Sequence, residues 1–148
     1  PRIAALVPDE KARRSFTALL YFLKGTVLLY GGQEYSCNHV PSLFDKDVFP
    51  RTGTDITPLL QKLNAVRRTC LSVNDWFTAD ADDENDIAVC LRDDGKKKKL
   101  GVFSLKGKSA EVKVPLSDGA YVNRITGESV SVRGGMLRCA GEPVLLTE

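Results

Sequence analysis

Two hydrophobic periods divide the chain. Ala12, Phe16, Leu19, Leu20 and Leu23 fall on one helical face, with Lys11, Arg13 and Arg14 off it. Pro8-Asp9-Glu10 reads as the start of this helix, with proline in the first turn, and Gly25 as its end; residues 1–7 read as an extended lead-in. Tyr21 and Phe22 widen the apolar stripe, which predicts packing against a sheet and against another helix. Thr26 to Tyr30 show no alternation and read as a central strand covered on both faces. The tract from Gly31 to Thr54 has no sustained period. Its aromatics Tyr35, Phe44 and Phe49 predict an ordered loop. A second helix is signalled by Thr57 as cap, Pro58 in the first turn, a stripe of Leu59, Leu60, Leu63 and Val66, and Arg67-Arg68 at the end.

Beyond about residue 70 the period drops to two, at Ile87, Val89 and Leu91, at Val112, Val114 and Leu116, and at Val130 and Val132. Asp94-Gly95, Lys106-Gly107, Asp118-Gly119, Thr126-Gly127 and Gly134-Gly135 punctuate it as turns. The fold class expected is α+β: a helix–strand–helix piece of a parallel α/β layout, then an antiparallel β-sandwich of about eight short strands. The boundary is placed near Thr69 to Ser72, giving parts 1–70 and 71–148.

Composition narrows the partners. The chain has 148 residues, 43% hydrophobic and 27% charged, which excludes a disordered chain. With 21 basic against 19 acidic residues the net charge is +2, so no field draws it to nucleic acid or an anionic membrane. No apolar run approaches the ~20 residues of a membrane span, and the first residues lack the order of a signal peptide. Cys37, Cys70, Cys90 and Cys139 form no Cys-x-x-Cys pair and read as buried thiols, which fits a reducing cytoplasm.

The stretch Gly25-Thr26-Val27-Leu28-Leu29-Tyr30-Gly31-Gly32-Gln33-Glu34 resembles the strand that closes the barrel in the α-amylase family, glycoside hydrolase family 13, whose usual pattern is Gly-x-Pro-x-x-Tyr-Tyr-Gly-x-Glu. Val27 stands where that pattern has Pro, and Gly31 where it has a second Tyr. Pro41-Ser42-Leu43-Phe44-Asp45-Lys46-Asp47 is similar to the loop that follows, and Asp55 to Leu60 to the start of the last barrel helix. Gly119-Ala120-Tyr121 to Leu137 is similar to later strands of the family's C-terminal sandwich. The resemblance implies the last helix, strand and helix of a (β/α)8 barrel followed by that domain.

It also implies a chemistry located elsewhere. Retaining glycosidases use a nucleophilic carboxylate and an acid/base carboxyl about 5–5.5 Å apart. The family sets these, with a further Asp, on the fourth, fifth and seventh barrel strands. Pro1-Arg2-Ile3 resembles the residues just after the Asn-His-Asp motif that carries the third, so all three are expected upstream and no catalytic residue here. Arg2, Tyr30, Gln33, Glu34 and His39 are the expected residues of the substrate cleft, Glu34 as a buried carboxylate paired across the barrel. Glu34 with Asp45 or Asp47 is the one alternative acid/base pair.

Other clusters carry less. Cys37, His39, Asp45 and Asp47 are metal ligands by type without a zinc spacing, and no metal or cofactor is expected. Asp80 to Asp86 has Asn85 where a calcium loop needs Gly, and reads as a hairpin tip. Lys96 to Lys99 reads as a charged edge strand. Trp76, beside Phe77, is a candidate sugar-stacking ring or a packed core residue.

Two readings follow. In one, the chain is the C-terminal part of a retaining α-glucan hydrolase or transglycosylase, inert alone, with the remainder of the barrel and an α-glucan as partners and self-association in isolation. In the other it is a free-standing carbohydrate-binding or assembly module.

Overall fold

The computed structural model describes residues 1–148. A single helical turn, α1 (Ile3–Leu6), replaces the extended lead-in, and α2 (Glu10–Phe22) follows. Asp9 is the cap of α2: its side chain accepts a hydrogen bond from the Ala12 amide at 2.7 Å. A 3-10 turn spans Gln33–Tyr35, and α3 covers Thr57–Cys70. Ile56, not Thr57, caps α3; the Asp55 carboxylate takes the Thr57 amide at 2.8 Å, and Pro58 sits in the first turn. Eight strands complete the chain: β1 (Trp76–Asp82), β2 (Ile87–Asp93), β3 (Lys98–Ser104), β4 (Ala110–Lys113), β5 (Gly119–Val122), β6 (Ser129–Arg133), β7 (Met136–Cys139) and β8 (Val144–Thr147).

The strands form two antiparallel sheets, ordered β1-β2-β3-β8 and β4-β7-β6-β5. Between them lies one core, including Ile87, Val89, Leu100, Val102, Val112, Leu137, Val144 and Leu146. A second core joins the helices to the outer face of the first sheet, where Ala18, Tyr21, Phe22, Leu59, Leu63 and Val66 meet Cys90, Phe103 and Leu145. Strand alternation explains both: Leu100 and Val102 point one way, Phe103 the other, and the Phe103 ring stands 5.7 Å from that of Phe22. The result is three layers, helices over sheet over sheet. The second sheet turns Glu111, Lys113, Ser129, Ser131, Arg133 and Arg138 to solvent. Helix α2 packs on both β3 and α3, as its wide stripe predicted. Its buried face, however, is Ala12, Ser15, Ala18, Tyr21 and Phe22, which leaves Phe16, Leu19, Leu20 and Leu23 half-buried.

Two further expectations are corrected. Thr26 to Tyr30 form no strand within this chain, because no other segment lies beside them to complete a ladder. The Lys96–Lys99 tract is not an edge: β3 lies between β2 and β8, and Lys99 is buried. The acidic run is a hairpin tip between β1 and β2, where Asp82 accepts from the Asn85 amide at 3.1 Å. All four cysteines are free thiols, with Cys37, Cys90 and Cys139 buried; burial pushes the Cys90 thiol up to about 11. No helix is long and apolar enough to cross a membrane.

Candidate functional site

The segment after α2 is held at its start by Arg67 of α3. Its guanidinium donates to the carbonyls of Tyr21 at 2.5 Å and Leu23 at 2.9 Å, and also to that of Gly25. From there Val27 and Leu29 lie against the helical core while Thr26, Leu28 and Tyr30 face outward; Leu28 is 80% exposed. This two-residue alternation is a strand's, yet the backbones of Thr26 to Leu29 make no hydrogen bond in the chain. The polypeptide then turns at Tyr30, whose carbonyl accepts from the Gln33 amide at 2.9 Å while the Gln33 side chain accepts from the Tyr30 amide at 3.3 Å. Gly32 permits the turn: its φ is +87°, and a Cβ there would lie 3.1 Å from Cys37 Cβ.

Arg2 converges on this turn from 29 positions before Gly31. Its Nη1 donates to the Gly31 carbonyl at 2.6 Å, and its guanidinium lies 4.5 Å from the centre of the Tyr30 ring and 4.9 Å from that of Phe49. Arg2 is 8% exposed, and its Nε and Nη2 have no hydrogen-bond partner. Beside it opens a cavity of about 260 Å³ lined by Arg2, Ile3, Tyr30, Gln33, Ser36 and Val40, among others. The unpartnered Nε–Nη2 edge is the side that takes a carboxylate in two parallel hydrogen bonds.

The structure therefore brings Arg2, Tyr30 and Gln33 together. Glu34 lies in the 3-10 turn next to them, half-buried, its side chain in no ion pair or hydrogen bond; its own carbonyl holds the Ile56 amide at 2.8 Å. His39 stands apart in the exposed loop, its Nε2 2.8 Å from Asp47. The Asp47 carboxyl is held below its ordinary range by the Ser42 amide and then by His39. Asp45 accepts instead from the Ser42 hydroxyl at 3.2 Å, and Cys37 is buried. No three His, Cys, Asp or Glu side chains form a group able to hold a metal ion. Trp76 lies at the free edge of the first sheet, 81% exposed, and is not among the residues lining this cavity.

Sequence reasoning missed the second ring over Arg2, since Phe49 is 47 positions away and nothing local marks it. It also missed a buried ionic group that joins the layers. Asp75 carries the Arg92 guanidinium at 3.3 Å and the Lys99 ammonium at 3.1 Å, and Lys99 also reaches Asp94 at 2.7 Å. Arg92 then donates to the Phe22 carbonyl at 2.8 Å, at the end of α2, and to that of Ser72. The signal available was Arg92 on the strand face shared with Ala88 and Cys90, a cation among apolar neighbours.

Comparison with known proteins bears on this arrangement. Residues 78–146 match the family described as Bacterial Alpha amylase C-terminal domain. No curated protein matches the sequence. Among solved structures, an α-amylase from Lactobacillus plantarum is similar over 99% of this chain and 35% of its own, with 26% identity and a TM-score of 0.86. A noncanonic maltogenic α-amylase from Thermotoga neapolitana matches 99% of this chain and 38% of its own at 21% identity and TM-score 0.81. An α-amylase from Geobacillus thermoleovorans, complexed with acarbose, matches 97% and 35% at 14% identity and TM-score 0.70. The chain thus spans little more than a third of these proteins. The sandwich is a C-terminal domain of the α-amylase type, and the chain resembles a C-terminal fragment of the α-amylases of glycoside hydrolase family 13.

Proposed function

We propose that this chain is the back of a retaining, α-glucan-active glycoside hydrolase or transglycosylase: residues 1–70 close the catalytic barrel and residues 71–148 brace it from outside. The observation that carries this reading is the segment Thr26 to Leu29, four residues with strand alternation and no backbone hydrogen bond. Unpaired backbone of this kind is completed by neighbouring strands, and the exposed Leu28 and Tyr30 then face the barrel interior.

In that setting Tyr30 and Gln33 border the sugar cleft, with Glu34 beside them and His39 on the loop above. The open edge of Arg2 takes a carboxylate from the remainder of the barrel. Arg2 is then a positioning residue: its guanidinium, stacked between Tyr30 and Phe49, fixes that carboxylate and the Tyr30 ring at once. The nucleophile and the acid/base come from the preceding strands, so this chain alone is non-catalytic.

The test is to read the gene upstream of the codon for Pro1. Barrel strands ending in Asp, in Glu and in Asn-His-Asp are the expected result. A start codon directly before Pro1 overturns the proposal.

A further inference from the structure

The chain's sole tryptophan is placed where the fold gains nothing from it. Trp76 opens β1, the free edge of the first sheet, and is 81% exposed. Pairing with β2 sets Trp76 opposite Asp93, Thr78 opposite Leu91 and Asp80 opposite Val89. These three therefore share the face of β1 turned toward the second sheet, while Phe77 points the other way and packs on the helical core. The helices, and with them the proposed barrel, lie on the Phe77 side. Trp76 is not on the face they cover.

Along this row the sandwich is open, because β1 and β4 are both edges of their sheets. Between them lies a groove of about 350 Å³ with Val89, Leu91 and Pro115 as its apolar floor and Thr78, Asp80 and Lys113 as its rim. Trp76 stands one strand step, roughly 7 Å, beyond Thr78 on the same face. The Thr78 hydroxyl has no hydrogen-bond partner, and neither Asp80 nor Lys113 is in an ion pair although both line the groove. Acids on the β1 side with a lysine opposite select against an anionic ligand, and Asp80 and Asp82 oppose addition of another strand. Asp80 Oδ1 accepts from the Ala81 amide at 2.9 Å, which leaves its second oxygen open. A flat ring beside a free hydroxyl, this open carboxylate oxygen and an unpaired lysine, over an apolar floor, matches a neutral sugar, whose ring has an apolar face and a polar rim.

We propose that Trp76, Thr78 and Asp80 of β1, with Lys113 and Pro115 across the groove, form a carbohydrate-binding site that holds a short α-glucan away from the catalytic cleft. The Trp76 ring stacks on one glucose face, and Thr78, Asp80 and Lys113 bond the hydroxyls of the following units. That the sugar is an α-glucan rests on the proposed place of the chain in a glucan-active enzyme.

The 148-residue chain is titrated with maltoheptaose, and separately with cellohexaose, while the emission of its one tryptophan is followed; migration through a starch-containing gel is compared with migration through a plain one. The expected result is a saturable emission change with maltoheptaose, retardation in starch, and retardation in Trp76→Ala weakened about tenfold or abolished. The exposed ring makes this variant safe for folding, and far-ultraviolet dichroism matching the parent checks it; Trp76→Tyr, which keeps a stacking face, retains part of the retardation. Starch retardation unchanged in Trp76→Ala overturns the site. A response to cellohexaose alone overturns the α-glucan assignment, whereas silence toward both sugars overturns the site and leaves the barrel reading to the upstream gene sequence.

Discussion

Asp75 is fully buried between the cations of Arg92 and Lys99, themselves almost without exposure. Burial alone would raise its pKa, but the Ser72 amide, Lys99 and Arg92 outweigh it and hold the carboxyl below the ordinary range. Removing the carboxylate strands two buried charges, so Asp75→Ala is expected to cost about 3–5 kcal/mol, measured by urea unfolding. The sign of the pH dependence follows from the lowered folded value. The stabilisation from Asp75 is complete above its unfolded pKa of about 4 and is lost as pH falls through the folded value below it. Melting temperature in the parent should therefore drop steeply below about pH 4. In Asp75→Asn that drop should be shallower but not absent, since Lys99 and the amides of Lys97 and Lys96 depress Asp94 further still.

At the scale of elements, α2 is held at both ends. Its start is fastened by the Asp9 cap and by the 3.0 Å pair of Arg14 with Glu142, its end by Arg67 and Arg92 on the terminal carbonyls. Cations suit a helix C-terminus, and a planar fork reaches several carbonyls at once. Arg67→Ala should cost about 1.5–3 kcal/mol and speed hydrogen exchange in the last turn of α2, with Arg67→Lys recovering only part, because one ammonium cannot span the three carbonyls. Equal protection in Arg67→Ala and the parent would remove Arg67 from this role. The elements were legible where their pattern is local. The stripe Leu59, Leu63 and Val66 gave α3, and alternation at Ile87, Val89 and Leu91 gave β2. Legibility failed where a neighbour decides. Thr26 to Tyr30 have a strand's composition but no partner strand, and the Lys98–Lys99 start of β3 looked like an edge because nothing nearby announces that Asp75 will neutralise Lys99. In the candidate site, Tyr30 and Gln33 were legible as neighbours in one short stretch, whereas the contacts of Arg2 and Phe49 with that stretch come from distant positions that only the fold brings close.

For the whole molecule the unevenness of burial is decisive. The sandwich and the sheet–helix contact have continuous cores, yet Leu28, Tyr30, Val40, Leu43, Phe44 and Val48 are all between 58% and 94% exposed along one stretch of chain. Scattered apolar residues are ordinary on a surface, but six large ones between residues 28 and 48 are not. Phe16 and Leu20 of α2, half-buried and outside the second core, add to the apolar surface left without a neighbour. Water contact with these groups and with the unbonded backbone of Thr26 to Leu29 favours any arrangement that covers them, and in the isolated chain only another copy can do so. The 148-residue chain should therefore associate as its concentration rises in sedimentation velocity, and bind a hydrophobic dye when dilute. Leu43→Ser with Phe44→Ser, both fully outside the two cores, should reduce association without lowering the unfolding midpoint. A monomer at every concentration, with no dye signal, would mean that this surface is tolerated as it stands and would remove the main physical ground for placing it against a barrel.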